Sequence, residues 1–285
     1  MKKSSEKTKV SIIIPTYNSG GTLVECLQSI CSQSYPFFEV IVVDNFSNDN
    51  TLKIAESFGA KMVRKKCNPA SARNIGLAMS TGEYILFLDS DQILSSTLIE
   101  ECAKLCDSEN VGMIKIPEVF IGRNFWGSCS ATWKNCYQNT EQSKSERIIN
   151  GEPRFFTKTD LVQAGAFDDN LLWGEDYDLY KRMIKLNIKG IQCKSKIYHL
   201  EPKSISVIFF KMQRYGEFMP IFTRRTQERI FPSLISRSLS TLKKIVIQHK
   251  KHPAVIMGCT LLLFLKTYSL TTGVFLGLIL KKGGP

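Results

Sequence analysis

Tyr84-Ile85-Leu86-Phe87-Leu88-Asp89-Ser90-Asp91 decides the reading of this chain: an apolar, strand-like run stops at two carboxylates one residue apart. A buried strand of a parallel sheet delivers such a pair to its carboxyl end, where α/β sheets hold ligands. The hard oxygens of Asp89 and Asp91 suit Mg²⁺ or Mn²⁺ bridging a substrate diphosphate. An Asp-x-Asp after a strand also serves as a plain polar turn before a helix. What flanks it has to choose between the two.

Upstream, Val10-Ser11-Ile12-Ile13-Ile14, ended by Pro15, and Glu39 to Val43, ended by Asp44 and Asn45, read as two more buried parallel strands. Between them Thr22 to Gln33 sets Leu23, Cys26, Leu27 and Ile30 at helical spacing, and Thr51 to Phe58 gives a second helix after the Ser47-Asn48-Asp49 turn. Lys61 to Arg64 is a short strand, Ser71 to Met79 a helix, and Thr81-Gly82-Glu83 the turn into the Asp89 strand. Such alternation is the signature of a doubly wound sheet. Beyond it we expect a helix from Leu98 to Cys106, a strand near Val111 to Ile116, and acceptor-side loops in the Gly/Asn/Trp-rich stretch through Asn139. Helices at Thr159 to Ala164 and Asp176 to Leu186 follow, the second just after Trp173-Gly174-Glu175.

With 285 residues, 43% of them hydrophobic, the chain can bury one core of ~200 residues and still carry an appendage. The expected division is a flexible polar N-terminus (1–9), a catalytic domain (10–225) and a basic, then hydrophobic C-terminal region (226–285). Lys and Arg number 38 against 26 Asp and Glu, and the excess thickens after Lys203 on either side of an apolar stretch. That layout fits a membrane surface better than nucleic acid. Ala254 to Leu280 holds one charge, Lys266, between Lys250-Lys251 and Lys281-Lys282. A lysine at the centre of a spanning helix costs of order 3 kcal/mol, so two shorter helices meeting near Lys266 are expected, lying in the membrane interface, forming a re-entrant hairpin or packing on a partner subunit, with a buried helical hairpin of the soluble domain as the plain alternative. The nine cysteines include no Cys-x-x-Cys pair, which excludes a recognisable zinc module and suits a reducing compartment. The polar start, Met1 to Lys9, has no signal-peptide character, so the catalytic part is expected at the cytoplasmic face of the membrane.

In order, Ile13-Ile14-Pro15-Thr16-Tyr17-Asn18, Val42-Val43-Asp44-Asn45, Ala72-Arg73-Asn74-Ile75-Gly76, Leu88-Asp89-Ser90-Asp91 and Gly174-Glu175-Asp176-Tyr177-Asp178-Leu179 resemble family 2 glycosyltransferases of GT-A fold, over roughly Val10 to Tyr215. The resemblance implies an α/β, Rossmann-like mixed sheet sandwiched by helices and a nucleotide-sugar donor. It implies that Pro15 and Tyr17 line the nucleotide site, with Tyr17 stacked on the base, and that Asp44 accepts from a uracil imide. Asn45 departs from the family's usual second Asp, which leaves the base open. Arg73 and Asn74 would hold diphosphate or ribose. Asp91 would bind the metal directly, Asp89 would hold ribose or a metal-bound water, and His199 would be a further metal ligand. By the same resemblance Asp176, beside Glu175, takes the proton of an acceptor hydroxyl that attacks the anomeric carbon with inversion.

Each assignment has a plain alternative. Acidic residues in a first helical turn favour the helix dipole by ~0.5 kcal/mol, and Asp178 suits that role alone. Trp173 could stack on a sugar or sit in a core. Polyprenyl-phosphate sugar synthases share the fold but attack with phosphate, which needs no base, so Glu175-Asp176 favours a hydroxyl on a lipid-linked or cell-surface glycan. Gln213-Arg214-Tyr215 misses the spacing of processive synthases. A nucleotidyltransferase would need a basic Gly-rich loop, and Ser19-Gly20-Gly21 has no Lys or Arg beside it. An inactive scaffold of the same fold is the non-enzyme alternative.

Overall fold

The computed structural model describes residues 8–138, 153–226 and 230–280, so Lys281-Lys282 and most of the polar start lie outside the described residues. The chain runs β1 (Val10–Thr16), α1 (Leu23–Cys31), β2 (Phe38–Asp44), α2 (Thr51–Ser57), β3 (Lys61–Arg64), α3 (Pro69–Met79), β4 (Tyr84–Phe87) and β5 (Gln92–Leu94). Then come α4 (Leu98–Glu109), β6 (Met113–Lys115), β7 (Glu118–Ile121), α5 (Phe125–Gln138), β8 (Phe155–Thr157), α6 (Lys158–Gln163), α7 (Glu175–Lys185), β9 (Gly190–Gln192) and β10 (Ile197–Leu200). Three long helices follow, α8 (Ile205–Thr226), α9 (Ile230–Gln248) and α10 (Pro253–Leu280).

Seven strands form one mixed sheet of order β3-β2-β1-β4-β8-β6-β9. The first four are parallel, β8 is antiparallel to β4 and β6, and β9 is parallel to β6. Side chains alternate across the sheet because a strand has a period of two. Val10, Ile12, Ile14, Val42, Leu86 and Phe155 enter one core, whereas Ile13, Ile41, Val43, Ile85, Phe87 and Phe156 enter the other. Each such fully buried side chain contributes about 1.5–3 kcal/mol. A Cβ at Gly76 would lie 2.3 Å from Ile13 Cγ2, so only glycine lets α3 settle this low on β1. β5 pairs antiparallel with β10 and sets His199 opposite Gln92.

The residues divide into two compact units that the chain enters more than once. Unit 1 comprises 1–118, 145–170 and 175–199, and unit 2 comprises 119–144, 171–174 and 200–285. Unit 1 holds the whole seven-stranded sheet. Unit 2 is helical, with Cys129, Trp133, Cys136, Ile208, Ile245, Cys259 and Leu262 at its core.

Unit 2 corrects two expectations. The stretch read as loops through Asn139 is helical over α5, as far as it is described. Its Gly, Ser, Asn and Cys are weak helix formers, but burying Cys129, Trp133 and Cys136 outweighs propensity. Ala254 to Leu280 is one continuous helix, not two. Lys266 does not interrupt it, because its Nζ turns into the protein and lies 3.3 Å from Ser130 Oγ on α5. Trp173 is a packing residue within the same unit, edge-on to Phe222 with ring centroids 5.0 Å apart.

Candidate active site

The parallel strands of unit 1 end on one edge of the sheet, and the acidic turn lies there. Asp89 N donates to Gln92 Oε1 and Gln92 N to Asp89 O, so the fully buried Gln92 fixes the turn that follows β4. From it the two carboxylates diverge. Asp89 Oδ1 faces Arg73 Nη2 at 3.2 Å, and Asp89 Oδ2 faces Arg154 Nη1 at 3.3 Å. Asp91 Oδ2 instead lies 3.4 Å from His199 Nε2.

These contacts extend into a chain of alternating charge. Arg73 Nη1 donates to Glu175 Oε1 at 2.9 Å and lies 3.6 Å from Asp176 Oδ1. Arg154 Nε donates to Glu118 Oε1 at 2.6 Å, and Glu118 Oε2 lies 3.1 Å from His199 Nδ1. The sequence therefore runs Asp91, His199, Glu118, Arg154, Asp89, Arg73, Glu175 and Asp176, all within unit 1. Glu175 and Asp176 open α7, where the helix N-terminus favours negative charge.

Burial pushes the Glu175 carboxyl above its usual range and Asp176 adds to this, with Arg73 compensating in part. Burial also works against ionised Glu118, but Arg154 and His199 prevail and hold it at about 2. Burial disfavours an imidazolium at His199, yet Asp91 and Glu118 raise it to about 9. Arg73 and Arg154 stay charged despite desolvation because carboxylates surround them. Arg73 Nε is buried with no hydrogen-bond partner among the described residues.

Five carboxylates meet two guanidiniums and one imidazole in this network. The excess negative charge suits a divalent cation at the open end, where Asp91 and His199 converge. No group of three or more His, Cys, Asp or Glu is arranged around a metal position among the described residues. Asp91, with His199 in its neutral form, fits an Mg²⁺ or Mn²⁺ ion that takes its other oxygens from diphosphate and water. Asp89 departs from the expected metal-side role, because both of its oxygens face arginines.

Tyr17 stands 60% exposed just beyond β1, free to stack, and Pro15 pairs with Val43 inside the sheet. Asp44 and Asn74 depart from their expected places. The Asp44 carboxylate is fully buried and accepts from Thr16 Oγ1 at 3.0 Å, Ser47 N at 2.9 Å and Ser47 Oγ at 2.5 Å. It shapes the turn after β2, and its Oδ2 lies 3.8 Å from Arg64 Nε. Asn45 Oδ1 accepts from Cys67 N, pinning the next loop. Asn74 Nδ2 donates to Phe167 O at 2.8 Å and Asp169 Oδ1 at 2.7 Å, while its Oδ1 accepts from Phe167 N, so its amide staples a loop. Asp178 is paired with Arg182, the structural use expected of it. Beside α3 a cleft of about 450 Å³ is lined by Lys65, Lys66, Asn68, Ser71 and Asp169.

Sequence reasoning missed Arg154 and Glu118, which join the two halves of the network. The available signal was the arginine in Pro153-Arg154-Phe155-Phe156, directly before an apolar strand; Glu118 offered none.

Comparison with known proteins matches the chain to a family. Residues 11–160 match the model of "Glycosyl transferase family 2". Poly(ribitol-phosphate) beta-N-acetylglucosaminyltransferase TarS of Staphylococcus aureus (strain MW2) is 30% identical over 207 residues, covering 68% of this chain and 36% of that protein. UDP-Glc:alpha-D-GlcNAc-diphosphoundecaprenol beta-1,3-glucosyltransferase WfgD of Escherichia coli is 28% identical over 254 residues, covering 85% of this chain and 94% of that protein. Among solved structures, mannosyltransferase PcManGT of Pyrobaculum calidifontis, in complex with GDP-Man and Mn²⁺, superposes with a TM-score of 0.60 at 20% identity, covering 96% of this chain and 88% of that one. That likeness establishes the GT-A architecture. The chain belongs to glycosyl transferase family 2.

Proposed function

We propose that this enzyme transfers a sugar, with inversion, from a nucleotide-sugar donor to a hydroxyl of a lipid-linked or cell-surface glycan at the cytoplasmic membrane face. The observation that carries the reading is the continuous charge network from Asp91 and His199 to Glu175 and Asp176. It couples a cation-seeking end to a carboxylate pair at a helix start. A UDP-sugar is favoured as donor, supported by the names of relatives that use UDP-Glc or bind UDP-GlcNAc rather than by Asp44.

Tyr17 stacks on the base. Asp91, joined by His199 once its imidazole gives up its proton, would hold Mg²⁺ or Mn²⁺, which when bound neutralises charge building on the departing nucleoside diphosphate. Arg73 and Arg154 brace Asp89, and Arg154 keeps Glu118 ionised, behind that position. Asp176 is the more exposed member of its pair, 3.6 Å from Arg73 Nη1, and acts as the base toward the acceptor hydroxyl. Glu175, held at 2.9 Å by the same guanidinium, buttresses it. Residues 226–285 attach the protein to the membrane.

The test is donor turnover and calorimetric nucleotide binding across UDP- and GDP-sugars with Mn²⁺ or Mg²⁺. Turnover with at least one donor is expected. Neither turnover nor metal-dependent nucleotide binding with any donor would sink the enzyme reading.

A further inference from the structure

Unit 2 carries an exposed apolar stripe. Met257, Leu261, Phe264, Tyr268, Phe275 and Leu278 recur at steps of three, four and, from Tyr268 to Phe275, seven along α10, with Met257 72%, Phe264 69%, Tyr268 63% and Phe275 64% exposed. A monomeric soluble protein rarely leaves so long a contiguous apolar face to water. The opposite face of α10 is committed. Cys259 Sγ donates to Cys129 O and Lys266 to Ser130 Oγ, both on α5.

Farther along, α8 approaches backbone to backbone. Ser269 Oγ donates to Phe209 O, a Cβ at Gly273 would lie 2.0 Å from Gln213 O, and one at Gly277 would lie 2.3 Å from Glu217 O. The offset between partners is the same each time, so α8 and α10 run parallel. Small residues every fourth position permit that approach, as they do between helices in lipid.

This register decides how lipid can meet the helix. α8 begins at Ile205, level with the middle of α10, and is preceded by exposed Lys203 and Ser204. Were α10 to cross a bilayer, those residues and the first-turn N–H groups of α8 would lie in hydrocarbon, where backbone polar groups find no partner. An α10 lying flat escapes this, because only its exposed stripe enters the acyl layer.

Charge selects the occupant. Residues 201–285 hold 14 of the 38 Lys and Arg but 3 of the 26 Asp and Glu, so this segment accounts for 11 of the 12 formal charges. Lys211 and Arg214 on α8 and Lys243, Lys250 and Lys251 at or just beyond α9 are exposed beside further exposed apolar residues, Phe210, Leu239 and Ile247. An exposed apolar face in a segment of such cationic excess fits a bilayer of anionic headgroups.

We infer that α10 is an in-plane, monotopic membrane element that docks unit 2 on an anionic bilayer surface, and not a transmembrane span. The inference refines the membrane attachment proposed above and can fail without it. Flotation of the full-length protein with phosphatidylcholine vesicles, with and without phosphatidylglycerol, tests it together with alkaline carbonate extraction. Anionic vesicles should carry ~10-fold more protein than neutral ones, and carbonate should release it. The Phe264→Glu/Phe275→Glu variant should float ~10-fold less with its melting temperature unchanged, as both residues are exposed. Carbonate-resistant protein would overturn the in-plane arrangement while keeping attachment, and no flotation at all would overturn both. A second copy is the occupant instead if the paired substitution turns a dimer into a monomer by light scattering and leaves flotation intact.

Discussion

Unit 1 and unit 2 bury difficult groups by different means. Unit 1 gathers five carboxylates and two arginines beside a histidine, and satisfies them with one another across long sequence separations. Unit 2 packs a nearly charge-free helix against α5 and α8 through small residues, and leaves its other face apolar and exposed. In the first unit an excess of one charge sign supports the proposed ligand site. In the second an excess of apolar surface marks a partner. Rigid polar networks hold reacting groups in place, whereas helix faces give area and little chemical direction.

The largest expected effect separates the two ends of the network. Asp176→Asn should lower transfer by about 10²–10⁴-fold and leave donor affinity unchanged, as loss of a general base does. Asp91→Ala should instead remove the metal dependence of nucleotide binding. Calorimetry and rate measurements on both variants check this. If Asp176→Asn retains transfer, the base lies elsewhere.

Next in size is the link between the ends. Arg154→Met leaves Glu118 with His199 and Asp89 with Arg73 as their remaining cations, and should destabilise the protein by about 1–3 kcal/mol, read by urea denaturation. A smaller loss would mean that the network tolerates gaps and is less tightly built than its distances imply.

Unit 2 should respond to volume more than to charge. Gly273→Leu must push α8 from α10 and should cost about 1–3 kcal/mol while leaving nucleotide binding intact. Loss of nucleotide binding along with stability would erase the contrast between the units.

The smallest effect is acid sensitivity at a second buried carboxylate of unit 1. Burial opposes ionised Glu39, but hydrogen bonds from Lys61, Ser11 and Thr81 hold its folded-state pKa well below the ordinary value. A depressed carboxylate contributes stability that is fully present above its unfolded pKa, near 4.5, and is lost as pH falls through the lower folded value. Glu39→Gln should therefore lose about 1–2 kcal/mol at neutral pH and flatten the acid limb of a stability profile measured below pH ~4.5. An unchanged acid limb would assign it to other carboxylates.

The sequence by itself determined the alternating elements of unit 1, the strand ends that carry Tyr17 and Asp89-Ser90-Asp91, and the start of α7 at Glu175. These follow from periodicity and caps, which act within a few residues. Tertiary structure decided the rest. Arg154 is 65 positions from Asp89 and Glu118 is 81 from His199, and nothing local announces either pairing. Asp44 and Asn74 were read by motif as open to ligand, and the fold surrounds them with protein partners that the motif does not encode. α5 and the unbroken α10 depend on each other, since weak local propensity and a central lysine are overcome only when their faces pack. Local rules set which way a side chain points. Which distant group it meets is fixed by the packing of the whole chain, because buried polar atoms must find partners wherever the fold brings them.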